Sequence, residues 1–183
     1  MRQARDRAGS MARCGKGCFG CCIGPFPITL LDAARLMQGL ALLDEETRER
    51  LQQRATESIA ALKGFGYPGD METGLLTFSH AEEILFTPPY LNLPCPALDL
   101  ETGACILYEH RPVACRTYGL AITLDGKPMP HCRLNYVDVP QETIETLRVE
   151  IETSAAGKAA LDEFLANGGQ EGRTVVAFAL RGS

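Results

Sequence analysis

The sequence contains no apolar run near the roughly 20 residues that a membrane-spanning helix needs, which sets transmembrane roles and a membrane partner aside. It also has no surplus of positive charge. Eighteen lysines and arginines stand against 23 aspartates and glutamates, a formal net charge of -5. That balance argues against a chain built to lie along a phosphate backbone, so nucleic acid is disfavoured as a partner. The opening MRQARDRAGSMARC is basic, but no apolar stretch follows it. The second part of a secretory leader is therefore missing, and the expected compartment is the cytosol. No internal repeat, Ser-His-Asp set or carboxylate pair stands out, and nothing in the sequence specifies a protein partner.

Cysteine is scarce by one standard and abundant by another. Eight in 183 residues, about 4%, is well under the roughly 8–10% of small disulfide scaffolds. Cytosolic thiols are kept reduced, so chelation of a metal ion or cluster becomes the leading use of these side chains. Cys14, Cys18, Cys21 and Cys22 form a tight N-terminal group, whereas Cys95, Cys105, Cys115 and Cys132 are spread. Free cysteine is among the most buried residue types, but core fillers do not cluster four to a nine-residue stretch.

The remaining 45% hydrophobic composition and the chain length suit one domain. Residues 1–13 lack apolar periodicity and read as a disordered basic tail, with 14–183 as a single cysteine-cluster domain. From Thr29 to Leu43 a wet stripe of Asp32, Arg35 and Gln38 marks an otherwise buried, central helix. Asp44 caps a second helix near Glu45 to Lys63, with Leu51, Ala55, Ile59 and Leu62 on one face and Gly64 at its end. Gly64, Gly66 and Gly69 match the letters of a GxGxxG loop. They follow a helix and include Pro68, so the dinucleotide reading is discounted.

Four prolines between Thr87 and Pro96 predict an extended segment delivering Cys95. Cys105 to Tyr108 reads as a strand. Arg111-Pro112 opens a short helix holding Cys115 and Arg116, and a hairpin turns at Asp125-Gly126. A long helix is expected from Pro140 to Asn167, and a final strand from Val175 to Leu180. The fold class is α+β, mostly helical, a single domain with an irregular, metal-bound middle.

The N-terminal group reads CGKGCFGCCIG. Its glycines permit the reversals that turn several sulfurs toward one point, and they let backbone N–H groups approach those sulfurs. Four thiolates suit either zinc or an iron–sulfur cluster. Neither the paired CxxC of a zinc ribbon nor the ferredoxin run is present. The spacing from Cys14 to Cys21 also matches the cluster loop of radical S-adenosylmethionine enzymes, whose barrel this short chain cannot supply. Adjacent side chains diverge, so Cys14, Cys18 and Cys21 are expected to act together while Cys22 reaches toward Cys95, Cys105, Cys115 and Cys132.

Lys16, Arg111, Arg116 and Arg133 could offset thiolate charge. His110 and His131 are alternative ligands, and His80 a weaker one. Asp99 and Glu101 read as turn residues. Thiol–disulfide exchange through Cys21 and Cys22 is a further alternative, without the CxxC of a βαβ setting.

CxxxCxxCC at 14–22, Cys95-Pro-Ala-Leu-Asp, Gly103-Ala-Cys105, Tyr108-Glu-His-Arg-Pro112 and Cys115-Arg116 together resemble the zinc- or iron-chelating cysteine-cluster family, YkgJ-type, named for its CxxCxxCC signature. The resemblance covers roughly residues 14–133. It implies that Cys14, Cys18, Cys21, Cys22, Cys95, Cys105, Cys115 and Cys132 are metal ligands. The first interval is three residues here rather than two. The same segment resembles the cysteine-rich part of the larger flagellin lysine methylases. The resulting expectation is a metal-binding protein carrying an iron–sulfur cluster or zinc, the glycine-rich loop being closer to cluster loops than to zinc knuckles. A zinc-stapled interaction module and a small enzyme related to the methylases are the alternatives.

Overall fold

A computed structural model describes residues 1–13, 17–77 and 81–182. The chain is mostly helical with short strands. Its elements are α1 (Arg2–Ala8), β1 (Pro27–Thr29), α2 (Leu30–Ala41), α3 (Glu45–Phe65), α4 (Ala81–Ile84), β2 (Leu98–Asp99), β3 (Ala104–Cys105), α5 (Val113–Thr117), β4 (Ile122–Leu124), β5 (Lys127–Pro128), α6 (Gln141–Leu147), β6 (Val149–Ile151), α7 (Ala155–Ala166), β7 (Arg173–Val175) and α8 (Val176–Leu180).

The scaffold is a packed trio of α2, α3 and α8. Thr29 starts α2 by accepting a hydrogen bond from the Asp32 N–H, and Asp44 starts α3 by accepting one from Thr47 at 2.8 Å. The α3 helix runs past Gly64 and ends at Gly66, whose φ of 81° and ψ of 59° form the left-handed cap. Leu36 and Leu40 from α2, Leu51 and Ala55 from α3, and Leu180 from α8 share one core, against which Cys95 and Cys105 pack. The antiparallel β1–β7 pair, Pro27 opposite Val175, ties the entry to α2 to the entry to α8.

A second cluster joins Ala4 and Ala8 of α1 to Ile122, Tyr136, Ile144 and Val149. Here β4 pairs antiparallel with β5 and parallel with β6. A third cluster fills the space between the end of α3 and residues 67–93.

Besides the end of α3, several sequence expectations change, and the strand expected from Cys105 to Tyr108 is cut to β3, followed by a 3-10 turn at Tyr108–His110. Residues 2–8 form a helix instead of a disordered tail, because Ala4 and Ala8, one turn apart, supply a small buried stripe under the exposed arginines. Asp32 is only 4% exposed and leaves the wet stripe of α2; Met37, Gln38 and Ala41 are the exposed positions there. The long helix expected after Pro140 breaks into α6, β6 and α7. Val149 and Ile151 are β-branched, alternate with Glu150 and extend along β4, while Ser154 caps a fresh helix by accepting from the Gly157 N–H. The α7 helix buries none of its residues, so Leu161 and Leu165 do not continue a core stripe. The last expected strand is confined to β7, and Val176 to Leu180 coil into a buried helix. The hairpin at Asp125-Gly126 is as expected, with both residues at positive φ.

Candidate metal centre

Backbone pairing brings three separated cysteine segments together. Gly20 to Cys22 form a single 3-10 turn, closed by the Cys22 N–H donating to the Phe19 carbonyl. That turn is zipped to the proline-rich segment: Gly24 donates to Leu93 and Cys95 donates to Cys22, both at 2.7 Å, with Ile23 bridging Pro94. Pro94 and Pro96 have no N–H, so the Cys95 amide is the sole donor of that stretch and is the one used.

The chain then turns through Leu98, whose N–H donates to Cys95, into a two-stranded hairpin that sets Leu98 opposite Cys105. Asp99 shapes the hairpin turn by accepting from the Glu101 N–H and the Thr102 hydroxyl. Gly103 lies at φ +66°, and a Cβ there would come within 2.8 Å of the Gly17 carbonyl oxygen. The glycine thus lets the hairpin close on the cysteine loop. Beyond β3, a 3-10 turn over Tyr108–His110 leads into α5, which carries Cys115. The Val113 N–H at the start of α5 donates to the buried Asp32 carboxylate at 3.1 Å, docking the Cys115 helix on α2.

Cys21, Cys22, Cys95 and Cys115 line one cleft of about 40 Å³. Phe26, Leu93 and Val176 make its apolar walls, and Ser58 adds a hydroxyl. This space is far smaller than the roughly 300–1,000 Å³ of pockets for drug-sized molecules.

The thiols feel one another. A hydrogen bond with Cys22 and then burial push the Cys21 thiol far above the ordinary range. Burial pushes Cys95 up to about 12, with Cys115 and Cys105 adding repulsion. Cys115 also rises to about 12, through burial and then the charges of Cys105 and Cys21. Burial raises Cys105 as well. Without a cation these thiols therefore stay neutral, and a bound cation reverses that preference.

Arg111 opposes these shifts at Cys21, Cys105 and Cys115. Its guanidinium stacks 3.6 Å from the centre of the Tyr108 ring, and its Nε donates to the Tyr108 carbonyl. Arg116 instead donates to the carbonyls of Arg111 and Glu109, bracing that turn.

Not every cysteine joins this group. Cys18 is exposed and Cys132 is buried. The Cys132 sulfur accepts from the Leu134 N–H at 3.4 Å, and its own N–H donates to Gly119. Cys14, Lys16 and His80 lie outside the described residues. The ring of His110 packs against Gly39 of α2, where an added Cβ would sit 2.6 Å from the imidazole carbon. His131 sets its ring edge-on to Tyr136.

Cys21 and Cys22 do not point apart as expected: Cys22 is the strongest influence on the Cys21 thiol, and both residues line the cleft. The tight 3-10 turn holds the two sulfurs together where an extended strand would separate them. The thiols surround the cleft without closing on a point, and among the described residues no three His, Cys, Asp or Glu side chains stand as a ready metal-binding group. The donor chemistry nonetheless fits a thiophilic metal, since the cysteines are free thiols drawn from three segments to one space.

Sequence reasoning missed two residues beside this cleft. Asp32 reads from the sequence as part of a solvated stripe, and Arg54 is not singled out there at all. The Arg54 Nη2 donates to the Leu98 carbonyl, and its charge favours the thiolate of Cys95. Neither has a local signal, because the backbone groups they bond, the Val113 N–H and the Leu98 carbonyl, lie 81 and 44 residues away.

Comparison with curated proteins and with solved structures finds no match. Comparison with family models finds one, described as "CxxCxxCC: Putative zinc- or iron-chelating domain", over residues 13–133. That span contains all eight cysteines and each segment that borders the cleft, apart from the strand-to-helix junction at Val175. The chain belongs to the CxxCxxCC family of zinc- or iron-chelating domains.

Proposed function

We propose that the protein chelates a thiophilic metal in the cleft between the Cys21–Cys22 turn, the Cys95 segment and the α5 helix, with Cys105 completing the thiol set. The observation that carries this reading is that four cysteines from three separate segments line one small space. An iron–sulfur cluster is the leading occupant and zinc the alternative. The glycine-rich loop with its adjacent cysteine pair favours the cluster. When bound, a cluster would supply one-electron chemistry, whereas zinc would supply a rigid staple.

The residues of the chain have three tasks there. Cys21, Cys95, Cys105 and Cys115 give up protons and bind. Arg111 offsets part of the resulting negative charge. Phe26, Leu93 and Val176 keep water out, which strengthens every charge interaction inside. Cys22, beside Cys21, is a reserve ligand; Cys18 and Cys132 are outlying candidates, and Cys14 is a candidate from the sequence alone. Apart from the thiols, the side chains lining the cleft carry no group that titrates near neutral pH, which favours a structural or electron-carrying centre over acid–base catalysis.

Anaerobic purification followed by metal analysis, acid-labile sulfide assay and a visible spectrum tests the proposal. Iron with acid-labile sulfide and a broad visible absorption supports the cluster. Stoichiometric zinc without colour supports the staple. Less than about a tenth of an equivalent of any transition metal contradicts both.

A further inference from the structure

Among the basic side chains around the thiol cleft, one comes from a distant helix and is held by a hydrogen bond to a cysteine segment. Arg54 lies in the middle of α3, on the scaffold trio, and its Nη2 donates to the carbonyl of Leu98. Leu98 is the junction of two cysteine segments. Its N–H donates to the Cys95 carbonyl at 3.0 Å, and in the hairpin it stands opposite Cys105. Its side chain is 1% exposed, so the strand is already packed when the guanidinium reaches it.

We propose that Arg54 is a positioning residue of the thiol centre: by clamping the Leu98 carbonyl it holds Cys95 and Cys105 in register against the scaffold, and it brings a second guanidinium, besides Arg111, to a site that gathers negative charge on metal binding. The inference rests on the metal-chelating reading above. Guanidinium suits both tasks, since it stays protonated and its planar fork loses little freedom per hydrogen bond.

Two measurements on Arg54→Gln and Arg54→Lys test the proposal and separate its failure from that of the metal reading. The first is Zn²⁺ affinity by competition with a chromophoric chelator, with Co²⁺ spectra reporting the thiolate geometry. Arg54→Gln should bind about 10–100-fold more weakly, the loss typical of residues that support metal ligands. Arg54→Lys, which restores the charge and one donor, should recover part of the loss.

The second is iodoacetamide labelling of the metal-free protein, read site by site by mass spectrometry. In Arg54→Gln, Cys95 and Cys105 should label at least about fivefold faster while Cys132 is unchanged, the pattern of local opening. Unchanged Zn²⁺ affinity with unchanged labelling overturns the proposal. Equal acceleration at Cys132 also overturns it, since Arg54 would then support only global stability. Wild-type protein that binds neither Zn²⁺ nor Co²⁺ nor iron refutes the metal reading, and labelling then decides the positioning role alone. If Arg54→Gln does not fold, Arg54→Lys carries both arms, and its equality with wild type in both overturns the proposal.

Discussion

The described cysteines fall into two sets that the fold treats differently. Cys21, Cys22, Cys95 and Cys115 border a common cleft, and Cys105 joins them through charge interactions with Cys95 and Cys115. Cys18 faces solvent, and Cys132 sits in a turn that satisfies its sulfur with a backbone N–H. The Cys22, Cys95 and Cys105 segments are tied to one another by backbone bonds, and the Cys115 helix is tied to α2 through the Val113 N–H and the Asp32 carboxylate. Cys132 is tied instead to Gly119 and Asn135. Proximity in the sequence is thus a poor guide to which thiols share a centre: Cys18 is three residues from Cys21, yet Cys21 keeps company with Cys115, 94 residues on.

The largest expected contrast between the sets is in metal dependence. Structural sites can contribute on the order of 10 kcal/mol to folding, and residues 93–117 have little regular structure to replace that support. Stripping the metal should open this segment to protease while the α2–α3–α8 trio stays resistant. Identical cleavage maps with and without metal would remove the distinction.

Breaking the dock between scaffold and centre should come next. Asp32→Ala leaves the Val113 N–H without its partner, at a cost of about 1–3 kcal/mol. It should also weaken metal binding by loosening the Cys115 helix. Denaturant unfolding together with Zn²⁺ competition would show whether the two losses occur together.

The pH response sharpens the comparison further. In the metal-free fold Cys95 and Cys115 titrate near 12, against 9.0 for an ordinary thiol. As pH rises, the unfolded chain releases these protons first. Stability is therefore fully present below about 9 and falls between about 9 and 12. The melting temperature in excess chelator should drop across that window, whereas metal-loaded protein, its thiols already deprotonated, should hold. A flat profile for the metal-free protein would contradict the burial of the thiol set.

Cys132→Ser should have the smallest effect: a loss of about 1 kcal/mol from the buried turn, with metal content near that of wild type.

Much of this was legible in the sequence, and the failures have physical causes. Asp44 as a cap, Arg111-Pro112 as the start of α5 and Asp125-Gly126 as a hairpin turn depend on nearest neighbours, and the structure has them where the sequence puts them. The cysteine signature and its family were legible for the same reason. The helix expected from Pro140 to Asn167 was not, because the parallel partner that turns Val149 to Ile151 into a strand lies more than twenty residues earlier. Nor was the grouping of thiols, which depends on Cys95 donating to the Cys22 carbonyl across 73 positions. Asp32 and Arg54 act through contacts of comparable range.

The central claim, that the cleft set and not the outlying set holds the metal, is tested most directly by metal content of single variants purified anaerobically. Cys115→Ser and Cys95→Ser should each lose most of the bound iron or zinc, while Cys18→Ser and Cys132→Ser retain most of it. Full metal in Cys115→Ser and Cys95→Ser, with loss in Cys18→Ser, would contradict the account and place the centre in the N-terminal loop alone.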